Sequence, residues 1–142
     1  MKPTDFKFAT TVKIRFRDCD AFGHVNNAVY FTMLEEVRTV YYKMLGLGKP
    51  NKWVRGGLGF ILASAKVDYK SPAELGEELT VYLRTKRFGI KSHDIEYLII
   101  SNEENRIVGE GFTTLVGYDY STQKSIPIPE DFKEKALKLE NS

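Results

Sequence analysis

Hydrophobic and polar residues alternate along residues 8–17 of the chain. Side chains two positions apart point to the same face of an extended strand, so this alternation predicts a strand with one buried face. The residues on one face are Phe8, Thr10, Val12, Ile14 and Phe16, and those on the other face are Thr11, Lys13, Arg15 and Arg17.

The apolar spacing changes to three and four residues after a polar loop at residues 18–24. This is the spacing of one helix face, and it predicts a long helix. Asn26 and Asn27 are suitable N-cap residues, and Gly46 and Gly48 suit the C-terminal end. Further apolar residues widen the face, which indicates a helix wrapped by other elements. The residues of the stripe are Tyr30, Met33, Leu34, Val37, Tyr41 and Met44.

Strand patterns account for most of the remaining chain. They lie at residues 59–69, 79–83, 92–101 and 107–118, with turns at residues 71–76 and 102–105, and residues 130–139 suit a short surface helix. Gly109, Gly111 and Gly117 leave room on one face of the last strand for an element that packs closely. Consecutive strands without intervening helices form antiparallel sheets. The sequence therefore predicts an α+β fold, a curved antiparallel sheet around one long helix, in one domain over residues 1–142.

Composition narrows the class of protein. The chain has 142 residues, and a hydrophobic content of 42% excludes a disordered chain. Lysine and arginine number 21 against 19 acidic residues, and the net charge of +2 argues against nucleic acid as the main partner. The single cysteine cannot form an internal disulfide, and no cysteine–histidine cluster suggests a metal site. No apolar run reaches about 18 residues and no signal-peptide pattern is seen, so we expect no membrane span and a cytoplasmic protein.

The loop before the helix carries the first candidate chemistry. Asp18 and Asp20 flank Cys19, and if the strand continues this far, both carboxylates face one side and suit acid/base work. The alternative is that one aspartate caps a turn while the other is solvated. His24 is either a base, a hydrogen-bond donor to substrate, a metal ligand or a loop histidine bound to backbone.

The predicted helix start carries the second candidate for chemistry. The first turn of a helix has unpaired N–H groups and the positive end of the helix dipole, which stabilise an oxygen that gains negative charge. Asp20 lies a short loop away from Asn26 and Asn27, so attack on an acyl carbonyl is one use of this arrangement and ordinary capping is the other. The basic segment at residues 84–92 suits phosphate binding or a charged edge strand.

Two runs of sequence carry a family resemblance. They are Arg17-Asp18-Cys19-Asp20-Ala21-Phe22-Gly23-His24-Val25-Asn26-Asn27-Ala28-Val29-Tyr30-Phe31 and Leu34-Glu35-Glu36-Val37-Arg38. The chain resembles the hotdog-fold acyl-CoA thioesterases, and most closely the 4-hydroxybenzoyl-CoA thioesterase-like branch with the bacterial long-chain acyl-CoA thioesterases. The likeness continues through Val67-Asp68-Tyr69, Pro72, Gly76, Gly89 and Ser92.

This resemblance implies hydrolysis of an acyl-CoA thioester without a cofactor. Asp20 matches the catalytic carboxylate, which acts as nucleophile or as base on water, and the N–H of Asn27 matches the group that polarises the thioester carbonyl. A non-catalytic module that binds acyl-CoA or an acyl-carrier protein is the alternative.

The resemblance also suggests the substrate contacts and the assembly. Gly89, Lys91 and Ser92, with neighbouring Arg87, match the region that binds the pantetheine and phosphates of coenzyme A. His24 is expected to position substrate or loop. The family forms homodimers and homotetramers that share active sites between subunits. The apolar residues expected near the acyl group are Phe22, Tyr30, Phe31 and Phe60.

Overall fold

The computed structural model describes residues 1–47 and 52–142, so Gly48, expected near the helix end, lies outside the described residues. Single turns of 3₁₀ helix lie at Pro3–Asp5 and Phe16–Asp18. The helices are α1 (Val29–Met44), α2 (Lys52–Arg55) and α3 (Glu130–Glu140), and the strands are β1 (Phe8–Lys13), β2 (Leu58–Tyr69), β3 (Glu78–Phe88), β4 (Ser92–Ser101), β5 (Ile107–Asp119) and β6 (Lys124–Ser125).

The strands form one antiparallel sheet in the order β1-β3-β4-β5-β2, and β6 pairs with β5. The predicted α+β class, with an antiparallel sheet and one long helix, is confirmed. Strands β1 and β2 are the two edges of the sheet. Across the described residues, no helix is long and apolar enough to cross a bilayer.

The apolar stripe of α1 packs on the sheet, as the sequence pattern predicts. Five of its six residues are buried, and only Met44, in the last turn, is 50% exposed. A Cβ atom on Gly111 of β5 would lie 3.0 Å from Cδ1 of Leu34, so this glycine allows α1 to approach the sheet closely. The buried residues of the stripe are Tyr30, Met33, Leu34, Val37 and Tyr41.

Two local predictions differ from the structure. The first strand ends at Lys13 rather than at residue 17, because Asp18 accepts hydrogen bonds from the backbone N–H and the guanidinium of Arg15 and closes a turn. Phe16 in that turn is 83% exposed instead of sharing the buried face. The helix at the C-terminal end of the chain, α3, is more than a surface helix, since Phe132 and Ala136 join the core.

The core also contains a histidine. The ring of His93 is fully buried among Phe60, Phe88 and Phe132, and its Nε2 is hydrogen-bonded to the hydroxyl of Tyr42 at 2.8 Å. Its Nδ1 has no partner within the described residues. Burial lowers the pKa of His93 to about 4, and the charge of Asp94 opposes this shift only in part. The imidazole is therefore neutral in the folded protein at pH 7.

This pKa predicts a stability that depends on pH. In the unfolded chain His93 takes up a proton near pH 6.5, whereas the folded protein resists protonation until pH 4. The free energy of unfolding is thus highest above pH 6.5 and falls towards pH 4, by about 3 kcal/mol in total from this residue. Urea unfolding at several pH values measures this loss.

His93→Phe is expected to flatten this part of the pH profile, because the variant has no proton to bind at that position. His24→Gln changes the other histidine, whose side chain is part-exposed, and is the matched control that keeps the wild-type profile. The same slope in wild type and in His93→Phe would show that His93 is not the responsible group.

Candidate active site

A tight loop at residues 19–25 holds Asp20 in place. The backbone N–H of Asp20 donates to the carbonyl of His24 at 2.8 Å, and the N–H of Gly23 donates to the carbonyl of Asp20 at 3.1 Å. Gly23 has a φ of +78°, which glycine adopts without strain. Oδ1 of Asp20 accepts from the N–H groups of Phe22 (2.9 Å) and His24 (3.3 Å), an Asx-type turn.

Backbone hydrogen bonds join this loop to its surroundings. The N–H of Val25 donates to the carbonyl of Ala73 at 2.8 Å, and the N–H of Leu75 donates to the carbonyl of Gly23 at 3.2 Å. The N–H of Asn26 donates to the carbonyl of Asp18 at 2.9 Å. The loop is thus fixed between the segment after β2 and the start of α1.

The start of α1 lies one residue later than the predicted caps, with Ala28 as the N-cap. Oδ1 of Asn26 accepts from the N–H of Ala28 at 3.0 Å, and the backbone carbonyl of Asn26 accepts from the N–H of Val29 at 2.9 Å. The N–H of Asn27 donates to no acceptor within the described residues. An N–H at the positive end of a 16-residue helix is therefore available to a ligand.

A cavity of about 300 Å³ lies at this helix start. It brings together four of the predicted site residues, Asp20, His24, Asn27 and Tyr30. Nε2 of His24 lies 3.8 Å from Oε1 of Glu74. Burial raises the pKa of Tyr30, so its hydroxyl stays neutral. The lining residues are Asp20, His24, Val25, Asn27, Tyr30, Tyr69, Lys70, Ser71 and Pro72.

Asp18 does not join this cavity, so of the two interpretations of the aspartate pair the structure agrees with the one in which one aspartate closes a turn. Its Oδ1 and Oδ2 accept hydrogen bonds from Arg15, and it lines a separate cavity with Glu36. Burial raises the pKa of Asp18, but the hydrogen bonds from Arg15 outweigh burial and hold the pKa below its usual value. Asp18 is thus a charged turn residue, because the strand ends before it.

Phe31 and Phe60 lie outside the Asp20 cavity of the same chain. Phe31 is 40% exposed on α1. Phe60 lines a second cavity, of about 370 Å³, between α1 and the first half of β2. Arg38 also lines it, is only 7% exposed and donates from Nη1 to the hydroxyl of Tyr97 at 3.2 Å. The lining residues are Glu35, Arg38, Thr39, Tyr42, Leu47, Trp53, Gly59, Phe60, Ile61, Leu62, Leu115 and Tyr120.

The predicted coenzyme A contacts lie on the β3–β4 hairpin. The N–H of Gly89 donates to the carbonyl of Ser92 at 2.8 Å, and a Cβ on Gly89 would lie 2.8 Å from Oγ of Ser92. Nε of Arg87 donates to Asp94 at 3.1 Å, and Nζ of Lys91 donates to Oγ of Ser125 at 3.3 Å. Both cationic side chains are exposed.

This hairpin lies far from the Asp20 cavity of its own chain. The N–H of Ile14, near the Asp20 loop, donates to the carbonyl of Glu77 just before β3 begins, whereas the hairpin follows Phe88 at the other end of β3. Strand β3 spans about 30 Å. The hairpin lies instead at the Phe60 end of the sheet, because the carbonyl of Lys91 accepts from Gly117, which pairs with Phe60.

Five lining residues have no predicted role, and Tyr69 is one of them. The hydroxyl of Tyr69 donates to the carbonyl of Asn27 at 2.9 Å, and its ring packs edge-on against Tyr30 at 5.3 Å between centroids. Tyr69 stands in the part of the sequence that carries the family resemblance, but a contact across 42 residues has no local signal.

The comparisons with known proteins agree with this architecture. The sequence model of the thioesterase-like superfamily matches residues 14–136, and the chain belongs to this superfamily. A crystal structure of a thioesterase from Thermus thermophilus, complexed with coenzyme A and Zn, superposes with a TM-score of 0.82. The two sequences are 33% identical, and the superposition covers 97% of each chain.

Two relatives extend this finding at the level of sequence. The protein YsmA of Bacillus subtilis (strain 168) is 32% identical over 134 residues, which are 94% of this chain and 88% of YsmA. The long-chain acyl-CoA thioesterase FadM of Escherichia coli (strain K12) is 28% identical over 127 residues, which are 89% of this chain and 94% of FadM. The predicted hotdog fold and thioesterase class are confirmed: the chain is a thioester hydrolase.

Proposed function

We propose that this thioesterase hydrolyses acyl-CoA, with Asp20 as its catalytic carboxylate. The observation that carries the proposal is the shared cavity: Asp20 and Asn27 line one space at the start of α1. Coenzyme A in the similar Thermus structure and the similarity to the long-chain acyl-CoA thioesterase FadM support acyl-CoA as the substrate class.

The hydrogen bonds of Asp20 suit this role. Oδ1 is held by the N–H groups of Phe22 and His24, whereas Oδ2 accepts no hydrogen bond within the described residues. One oxygen is therefore fixed and the other is free to react. As a nucleophile it attacks the thioester carbon and forms a mixed anhydride while the C–S bond breaks and coenzyme A leaves as the thiolate; water then hydrolyses the anhydride to the acid and free Asp20. As a base it takes a proton from the water that attacks the thioester carbon, and the C–S bond breaks to release coenzyme A.

The N–H of Asn27 supplies the second requirement, which is stabilisation of the developing oxyanion. This N–H has no acceptor within the described residues and lies at the positive end of α1. The thioester oxygen would accept a hydrogen bond there while Asp20 or water attacks the carbon. His24 and Tyr30 line the same cavity and would hold the thioester in this position.

We further propose a homodimer formed by pairing the edge strands β2. Residues 61–66 of this strand are exposed, and within the described residues β2 pairs only with β5. A long, open strand edge is a template for pairing with another chain. A two-fold axis near the middle of β2 would set the Tyr69 end of one strand against the Leu58 end of the other.

This pairing would complete the active site. The second cavity and the basic hairpin both lie at the Phe60 end of the sheet, so those of one subunit would adjoin the Asp20 cavity of the other. We propose that Phe60 and Phe31 contact the acyl group there. Gly89, Ser92 and the cations Arg87 and Lys91 would bind the pantetheine and phosphates.

Replacement of Asp20 tests the proposed chemistry. Asp20→Asn keeps the size of the side chain but removes its charge and its nucleophilicity. We expect kcat for acyl-CoA hydrolysis to fall by at least about 100-fold, with KM little changed. Asp18→Asn is the matched control and should lose much less, because Asp18 faces Arg15 rather than the cavity. Wild-type kcat in a folded Asp20→Asn protein would refute the assignment.

Removal of charge from the hairpin tests the coenzyme A contacts. Lys91→Gln and Arg87→Gln should each raise KM for acyl-CoA and leave kcat nearly unchanged, and the effect should shrink at high salt because exposed charges are screened. Lys138→Gln, on α3, is the matched surface control. An equal loss with a short pantetheine thioester, which lacks the nucleotide, would contradict phosphate binding at the hairpin.

Charge placed on β2 tests the dimer. Ser64 is exposed near the middle of the strand, where two copies would meet. We expect wild type to sediment as a dimer or larger assembly at micromolar concentration. Ser64→Glu and Ser64→Lys should each dissociate it by like-charge repulsion, and a mixture of the two variants should restore it. Thr11→Glu, on the opposite edge, is the control. A wild-type monomer would contradict the proposal.

A further inference from the structure

The side chain of Tyr69 bridges two elements of the candidate site. Its hydroxyl donates to the carbonyl of Asn27 at 2.9 Å. Its ring packs against the buried ring of Tyr30, at 5.3 Å between centroids and 68° between planes. Its backbone pairs with Gly109 at the end of β2. Tyr69 therefore ties the end of β2 directly to Asn27, which lines the cavity.

We propose that Tyr69 is a positioning residue for the oxyanion site of this enzyme. It acts through the Asn27–Ala28 peptide rather than on the substrate. The inference rests on the proposed function, because it assumes that the N–H of Asn27 polarises the thioester carbonyl.

The charge on the carbonyl of Asn27 affects the proposed oxyanion site. A peptide oxygen carries partial negative charge, so near a developing oxyanion it raises the energy of the transition state. The hydroxyl of Tyr69 donates a hydrogen bond to this oxygen and holds it in a fixed direction. Without the hydroxyl, this peptide keeps the hydrogen bond from the N–H of Ala28 to Oδ1 of Asn26 but loses its second anchor, so the carbonyl is held less firmly and the favourable field of the helix start weakens.

Tyr69 also restricts the motion of the Asn27 backbone. The N–H and the carbonyl of Asn27 flank the same Cα atom, so a hydrogen bond that fixes the carbonyl also restricts the direction of the N–H. Tyr69 is itself well held, since β2 lies in the sheet and Tyr30 packs against its ring. A donor that is already aimed at the oxyanion needs no reorganisation during the reaction, and this is the condition for a large electrostatic effect.

Tyr69→Phe tests this inference because it removes only the hydroxyl. We expect kcat for acyl-CoA hydrolysis to fall about tenfold, less than for loss of an oxyanion donor itself. We expect KM, and the dissociation constant of a non-hydrolysable acyl-CoA thioether, to stay within about twofold, because the ground state makes little use of the oxyanion site. The midpoint of thermal unfolding is measured on the same samples.

Tyr82→Phe is the matched control. Tyr82 packs against Phe6 away from the cavity, so its variant should keep wild-type kcat. The double variant of Tyr69→Phe with Asp20→Asn provides a second measurement. If both residues serve one transition state, the loss caused by Tyr69→Phe should be smaller in the Asp20→Asn background.

Several results would overturn the inference and leave the proposed function intact. One is wild-type kcat in Tyr69→Phe when Asp20→Asn is inactive. Another is a loss in Tyr69→Phe that is confined to KM and to binding of the acyl-CoA thioether. A fall in kcat that is accompanied by an equally lowered thermal midpoint and recovers at lower temperature would show a merely structural role. Full activity in Asp20→Asn, by contrast, would reject the proposed chemistry itself.

Discussion

The rest of the structure depends on the burial of one face of α1 against the sheet. Full burial of a large apolar side chain stabilises a fold by about 1.5–3 kcal/mol, and five such residues of α1 are buried. This packing fixes the rotation of α1 about its axis and its distance from the sheet. It therefore also fixes the direction of the N–H groups at the start of the helix. The absence of a side chain at Gly111 lets the helix approach closely, so a glycine in β5 contributes to the geometry of a site that it does not touch.

The sequence predicts the features that depend on local periodicity or on single conformational requirements. The two-residue and three-to-four-residue spacings identify the strands and α1, and the short separation of Asp20 from the helix start places a carboxylate near free N–H groups. The local pattern leaves two interpretations of Asp18 open, and the structure decides between them. A hydrogen-bonded turn with Arg15 ended the strand on which the predicted alternation of faces depended.

Contacts between residues far apart in the sequence account for the features that the sequence pattern does not predict. Tyr69 reaches Asn27 across 42 residues, and Arg38 reaches Tyr97 across 59, so neither contact leaves a periodic signal. The neutral state of His93 likewise depends on aromatic rings from several elements, which surround it only in the folded chain. Such groups are found from the sheet register, because the register decides which distant residues become neighbours.

The topology separates the two parts of the proposed site, which lie too far apart to meet within one chain. Asp20 and the start of α1 lie at one end of the sheet, and the basic hairpin lies at the other, about 30 Å away along β3. In each chain the two parts of the proposed site lie at opposite ends of the sheet. A complete site therefore forms only when a second copy of the sheet is added in the opposite direction. The proposed two-fold axis at the open edge of β2 would meet that condition, and it would form two equivalent sites at once.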